Sequence, residues 1–146
     1  MRYLGLLRAT PDSEAGVMPP AEMFEKMGAF MEEVVKAGVV QATDGLKPSS
    51  FGTRVHLADG KVTVIDGPFT ESKELVASYA IFNVESKEQA IYWTQRFLEV
   101  LGSGECELRP IFEPEDFPPE LFTPDAALQE AAWREEMGRT AGQSQA

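Results

Sequence analysis

The feature that most restricts the fold of this chain is a pair of alternating segments joined by Asp59-Gly60. Residues 53–58 and residues 61–66 alternate between apolar and polar side chains, as β-strands do when their two faces meet different surroundings. Asp-Gly between two such strands favours a two-residue type I′ turn. A loop of that length also sets the register, in which Thr53 faces Asp66. The segment is therefore predicted to be a β-hairpin.

The predicted register divides the side chains of the hairpin between two faces. The apolar face ends in a carboxylate and carries Thr53, Val55, Leu57, Val62, Val64 and Asp66. The opposite face carries Arg54, His56, Lys61, Thr63 and Ile65. The single histidine of the chain is therefore predicted to lie across the sheet from Asp66.

Around the hairpin, a strand-helix-strand pattern occurs twice. The predicted elements are a strand over 2–8, a loop over 9–18, a helix from Pro19-Pro20 to Lys36, a strand over 39–46, the hairpin, a strand over 76–84, a helix from Ser86 to Gly102, and a strand over 105–112. This order predicts an α+β fold with a ferredoxin-like βαββαβ unit and an extra hairpin.

A proline-rich tail follows the last predicted strand. It is predicted to be helical from Asp125, the expected N-cap, to Met137, and to fray beyond that residue. The sequence therefore predicts a domain over residues 1–112 and a partly helical C-terminal extension over residues 113–146.

A ferredoxin-like sheet carries its helices on one face only. The other face must be covered, commonly by a second subunit, so a homodimer is expected.

The charge balance opposes nucleic-acid binding. Asp and Glu total 24 against 13 Lys and Arg, which gives a net charge of -11, whereas nucleic-acid binding requires a basic surface. The sequence also has neither clustered Cys and His ligands nor a phosphate-binding glycine loop. We therefore predict no nucleic-acid partner, no metal and no cofactor.

Cysteine content and hydropathy indicate a cytoplasmic protein. Cys106 is the only cysteine, which excludes an intrachain disulfide and suits a reducing compartment. The apolar run at the N-terminus ends at Arg8 and is too short for a signal peptide. No segment approaches the roughly 20 apolar residues of a membrane span.

The residues that follow the hairpin carry a family resemblance. Asp66-Gly67-Pro68-Phe69-Thr70-Glu71-Ser72-Lys73-Glu74 resembles the hallmark of the YCII-related, DGPF-domain family. Asp44-Gly45-Leu46-Lys47-Pro48-Ser49 and Glu107-Leu108-Arg109-Pro110 are similar to other segments of that family. The resemblance implies a dimeric α+β barrel, in which two ferredoxin-like units pack sheet to sheet.

The resemblance and the residues together indicate candidate site residues. Asp66 ends an apolar strand face, where partial desolvation would suit a general acid or base, or it is a turn residue that accepts backbone N–H bonds. Gly67, Pro68 and Phe69 are predicted to be structural. The candidate ligand-binding side chains are Arg54, His56, Glu71, Lys73 and Arg109. The cations among them would suit an anionic ligand.

Three functions remain open from the sequence. The first is a small-molecule binding or regulatory module with a cleft at the dimer interface. The second is a cofactor-free enzyme that uses Asp66 as acid or base. The third, a protein partner in sigma-factor-linked transcriptional regulation, is implied by the gene context of the family. The sequence does not decide whether the chain is an enzyme.

Overall fold

The computed structural model describes residues 1–70 and 74–141 of the chain. Its strands and helices, in chain order, are β1 (Arg2–Arg8), α1 (Pro11–Glu14), α2 (Ala21–Ala37), β2 (Val40–Gly45), β3 (Thr53–Ala58), β4 (Lys61–Asp66), β5 (Val76–Asn83), α3 (Lys87–Leu101), β6 (Cys106–Pro110) and α4 (Pro124–Ala141). Short 3-10 turns cover Ser49–Phe51 and Pro114–Asp116. The chain forms two compact units, Met1–Ile111 and the segment from Phe112 onward.

Four strands form an antiparallel sheet in the order β2-β5-β1-β6. Each half of the unit contributes one central and one edge strand, and α2 and α3 supply the crossovers. This is the ferredoxin-like arrangement, and it confirms the predicted α+β fold. The hairpin is inserted between β2 and β5 and forms a second sheet of its own.

The hairpin has the predicted register. Thr53 pairs with Asp66 and Ala58 pairs with Lys61. Asp59 and Gly60 both have positive φ, 50° and 73°, as a type I′ turn requires. Every residue of the two strands is exposed, so the hairpin contributes nothing to the core of the described unit.

The helices begin and end at local signals in the sequence. Ser86 caps α3 by accepting a hydrogen bond from the Gln89 N–H, while Gly38 and Gly102 end α2 and α3 in left-handed conformations. Both helices pack on one face of the sheet. The core there consists of Tyr3, Phe30, Val34, Val39, Phe82, Val84 and Ala90.

Several predicted strand and helix ends differ from the structure by one or two residues, and larger differences occur in the loop over 9–18 and in the tail. The predicted loop over 9–18 contains α1, which Thr10 and Ser13 cap reciprocally. In the tail, α4 begins at Pro124 and extends beyond Met137 to Ala141. Its first turn is capped by Thr123, whose hydroxyl accepts from the Ala126 N–H at 3.2 Å, and not by Asp125.

Candidate functional site

The segment after the hairpin lies directly against the Ser49–Phe51 turn. The Gly67 N–H donates to the Gly52 carbonyl oxygen at 2.9 Å. A Cβ atom at Gly67 would overlap the Ser49 carbonyl oxygen. Glycine is therefore required at this position by a close approach of two backbones.

Glu14 connects this turn to the end of α1. Its Oε1 accepts from the Ser49 N–H at 3.0 Å, and its Oε2 accepts from the Ser49 hydroxyl at 2.5 Å. The Ser49 hydroxyl in turn accepts from the Phe69 N–H at 3.0 Å. Both the donor and an acceptor site of Ser49 are thus engaged. The arrangement positions the chain at this turn.

Phe69 lies in the segment after the hairpin. Its side chain is half-buried, and the Arg54 guanidinium lies 3.9 Å from the centroid of its ring. At that distance the cation and the ring attract each other electrostatically. Arg54, a candidate for binding an anion, is therefore packed on an aromatic neighbour.

Asp66 is exposed on the hairpin. Its Oδ1 accepts from the Thr53 hydroxyl at 3.0 Å, across the strand pair. Thr53 is the partner found for this carboxylate within residues 1–70 and 74–141. A role of Asp66 as acid or base stays a prediction.

The other candidate ligand-binding residues are distributed over two sheets. His56 lies on the same face of β3 as Arg54. Arg109 lies on β6 of the four-stranded sheet, where its Nη1 is 3.5 Å from the Glu107 carboxylate. Glu71 and Lys73 lie outside the described residues.

A cavity of about 390 Å³ lies between the helices and the four-stranded sheet. Its wall is formed by Gly5, Leu7, Met27, Phe30, Met31, Val34, Val40, Thr43, Asp44, Gly45, Ser78, Tyr79, Ala80, Phe82, Thr94, Phe97 and Cys106. Most of these side chains are apolar. No sequence signal indicated this cavity, because its residues come from two helices and all four strands.

The two ionisable groups on β2 and β5 face away from the cavity. Asp44 and Tyr79 are register partners beside Thr43 and Ala80, and Ala80 shares its face with the core residue Phe82. The Tyr79 hydroxyl donates to Asp44 Oδ2 at 2.7 Å. This hydrogen bond, with the negative charge of Asp44, raises the pKa of Tyr79. Both residues border the cavity, and strand alternation turns their side chains to the opposite face of the sheet.

Cys106 lies in the cavity wall at the start of β6. Burial, with a smaller effect from the charge of Glu105, raises the pKa of its thiol to about 11. The thiol is therefore protonated at neutral pH, and a protonated thiol is a poor nucleophile.

The described residues also bear on metal sites and on membrane-spanning helices. Within residues 1–70 and 74–141, no cluster of three or more His, Cys, Asp or Glu side chains could hold a metal ion. None of the helices in that part of the chain combines the length and the hydropathy needed to cross a bilayer.

Comparison with known proteins found similar chains. One solved structure, a 5-chloro-2-hydroxyhydroquinone dehydrochlorinase from Burkholderia phenoliruptrix in complex with 2,5-dihydroxybenzoquinone, is 12% identical, with a TM-score of 0.43 over 81% of this chain and 100% of that chain. An uncharacterised protein of Rhizobium meliloti is 25% identical over 95 residues, which are 63% of this chain and 77% of the relative. The family model for the YCII-related domain matches residues 1–115. The chain therefore belongs to the YCII-related domain family.

Proposed function

We propose that this protein binds a small apolar molecule in the cavity between α2, α3 and the sheet. The observation that carries this proposal is the cavity itself, with its volume of about 390 Å³ and its largely apolar wall. Ligand pockets typically have volumes of roughly 300–1,000 Å³ and are lined mainly by hydrophobic and aromatic side chains.

Two properties of the wall favour a ligand. Met27 and Met31 are only half-buried, and unbranched methionine side chains adapt to the shape of a bound molecule. The half-buried apolar side chains of the wall are still partly in contact with water, and a ligand that covers them removes that apolar surface from water. A ligand that fills the space therefore stabilises the folded chain by mass action.

Filling the cavity with a side chain tests the proposal. Ala80 lies in the wall on β5. Ala80→Val should therefore reduce the affinity for an uncharged naphthalene probe, and Ala80→Leu should reduce it further. Isothermal titration on the full chain measures the affinity, and thermal unfolding checks that each variant is folded. Ala29→Leu is the matched control, because Ala29 is exposed on α2 and should leave binding unchanged. Equal affinities in all four proteins would place the probe elsewhere and contradict the proposal.

We also propose that the protein is a homodimer in which the second copy covers the apolar face of the hairpin. Four side chains of that face, Val55, Leu57, Val62 and Val64, are 61–71% exposed. An isolated two-stranded hairpin is marginally stable in water and needs a covering layer. The face is uncharged apart from Asp66 at its end, so two copies can meet there despite the net charge of -11.

A further inference from the structure

The chemical class of the cavity's ligand follows from three features of its wall, and this inference rests on the proposed function. The first feature is charge. Within the part of the chain that the structure describes, the side chains facing the cavity from the helices and the sheet are uncharged. The charged residues of α2, Glu22, Glu25, Lys26, Glu32, Glu33 and Lys36, are exposed. Moving an ion from water into such a space costs much free energy unless a partner compensates it. The ligand is therefore uncharged.

The second feature is the aromatic character and size of the space. The rings of Phe30, Phe82 and Phe97 contribute to the wall, together with the thioethers of Met27 and Met31. Ring edges and sulfur atoms both interact favourably with a flat aromatic molecule. An apolar cavity of roughly 150 Å³ holds benzene, so about 390 Å³ accommodates a compound of two fused rings.

The third feature is one hydroxyl group with an unused donor. The Thr43 hydroxyl donates to the Tyr79 carbonyl oxygen, and the Thr94 hydroxyl donates to the Ala90 carbonyl oxygen, both at 2.8 Å. The half-buried Ser78 hydroxyl has no hydrogen-bond partner within residues 1–70 and 74–141. A ligand that offers an acceptor atom would satisfy this donor in a largely apolar space.

We infer that the ligand is an uncharged, two-ring aromatic compound with a carbonyl-type acceptor that receives a hydrogen bond from Ser78. The apolar wall supplies the affinity, and Ser78 sets the orientation of the ring system. Within residues 1–70 and 74–141 no cationic side chain lines the cavity, and this discriminates against carboxylates of the same shape.

A matched set of probes tests the inference. 2-Acetylnaphthalene, 2-naphthoate and naphthalene share a ring system and differ in charge and acceptor. At neutral pH we expect the full-length protein to bind the ketone at least roughly tenfold more tightly than the carboxylate, because the carboxylate must lose its hydration. Ser78→Ala should weaken ketone binding roughly fivefold and leave naphthalene unchanged. Ser103→Ala, at an exposed serine beyond α3, is the control and should alter neither affinity.

The outcomes separate this inference from the proposed function. The inference would be overturned if the protein bound the carboxylate as tightly as the ketone. If Ala80→Leu also lost that binding, the proposed function would still stand. An unchanged affinity of Ser78→Ala for the ketone would overturn the assignment of Ser78. If none of the three probes bound, the proposed function and the inference would both be contradicted.

Discussion

Gly67, a residue of the family motif, is needed because it allows a close backbone contact and not because of its conformational freedom. Its φ lies outside the left-handed region in which Gly38, Gly60 and Gly102 are found. What it lacks is a Cβ, which would collide with the Ser49 carbonyl oxygen. The sequence predicted a structural role for Gly67 from the motif. It could not predict the partner, because Ser49 lies far away along the chain.

Replacing Gly67 should therefore destabilise the folded protein. We expect Gly67→Ala to lower the free energy of unfolding by more than about 2 kcal/mol, because backbone atoms on both sides must move. Gly28→Ala is the matched control, since a Cβ at Gly28 meets no atom within 4 Å and the residue lies inside α2. That change should stabilise the protein by about 0.5–1 kcal/mol. Urea denaturation of both variants measures the difference, and two similar values would refute the contact argument.

The hairpin and α1 show which elements can be predicted from sequence. The hairpin register was predictable because Asp59-Gly60 and two alternating strands specify it within a few residues. The short helix α1 was missed, although Thr10 followed by Pro11 is a local start signal. Its polar residues carry no apolar periodicity, and its role depends on a contact between Glu14 and Ser49 that no local pattern encodes.

Removing the Glu14 carboxylate should make the Ser49–Phe51 turn more mobile. The segment after the hairpin, which packs against this turn, should become more mobile as well. We expect Glu14→Ala to destabilise the protein by about 1–3 kcal/mol, because it removes the acceptor for two part-buried donors of Ser49. Hydrogen exchange at the Ser49 and Phe69 amides should become faster. Glu22→Ala is the control, since Glu22 forms only an exposed ion pair with Lys26. Unchanged exchange at both amides would show that Glu14 does not hold the turn.

At the scale of the whole molecule, the sequence predicted the architecture but not the candidate site. The order of strands and helices follows from apolar periodicity and the end signals at Ser86 and Gly102, which are local. The cavity arises where Met27 and Phe97, on different helices, leave space over Gly5 and Ala80 of the sheet. Such a space depends on how side-chain volumes combine across layers, so it emerges only from the packed structure.

The apolar face of the exposed hairpin needs a covering layer, and the proposed cover is a second copy of the chain. Leu57 lies on that face in the pair nearest the turn, opposite Val62, while Ile65 lies on the other face, opposite Arg54. Both side chains are more than half exposed. They therefore form a matched pair for the same substitution within one hairpin.

We expect Leu57→Asp to convert the proposed dimer to a monomer, because each interface would bury two uncompensated carboxylates. Ile65→Asp should remain dimeric. Light scattering coupled to size-exclusion chromatography gives the mass of each protein, and circular dichroism checks that both variants are folded. A wild-type mass of about 16.1 kDa would itself exclude the dimer. If instead Ile65→Asp dissociated and Leu57→Asp did not, the second copy would lie on the face that carries Arg54 and His56.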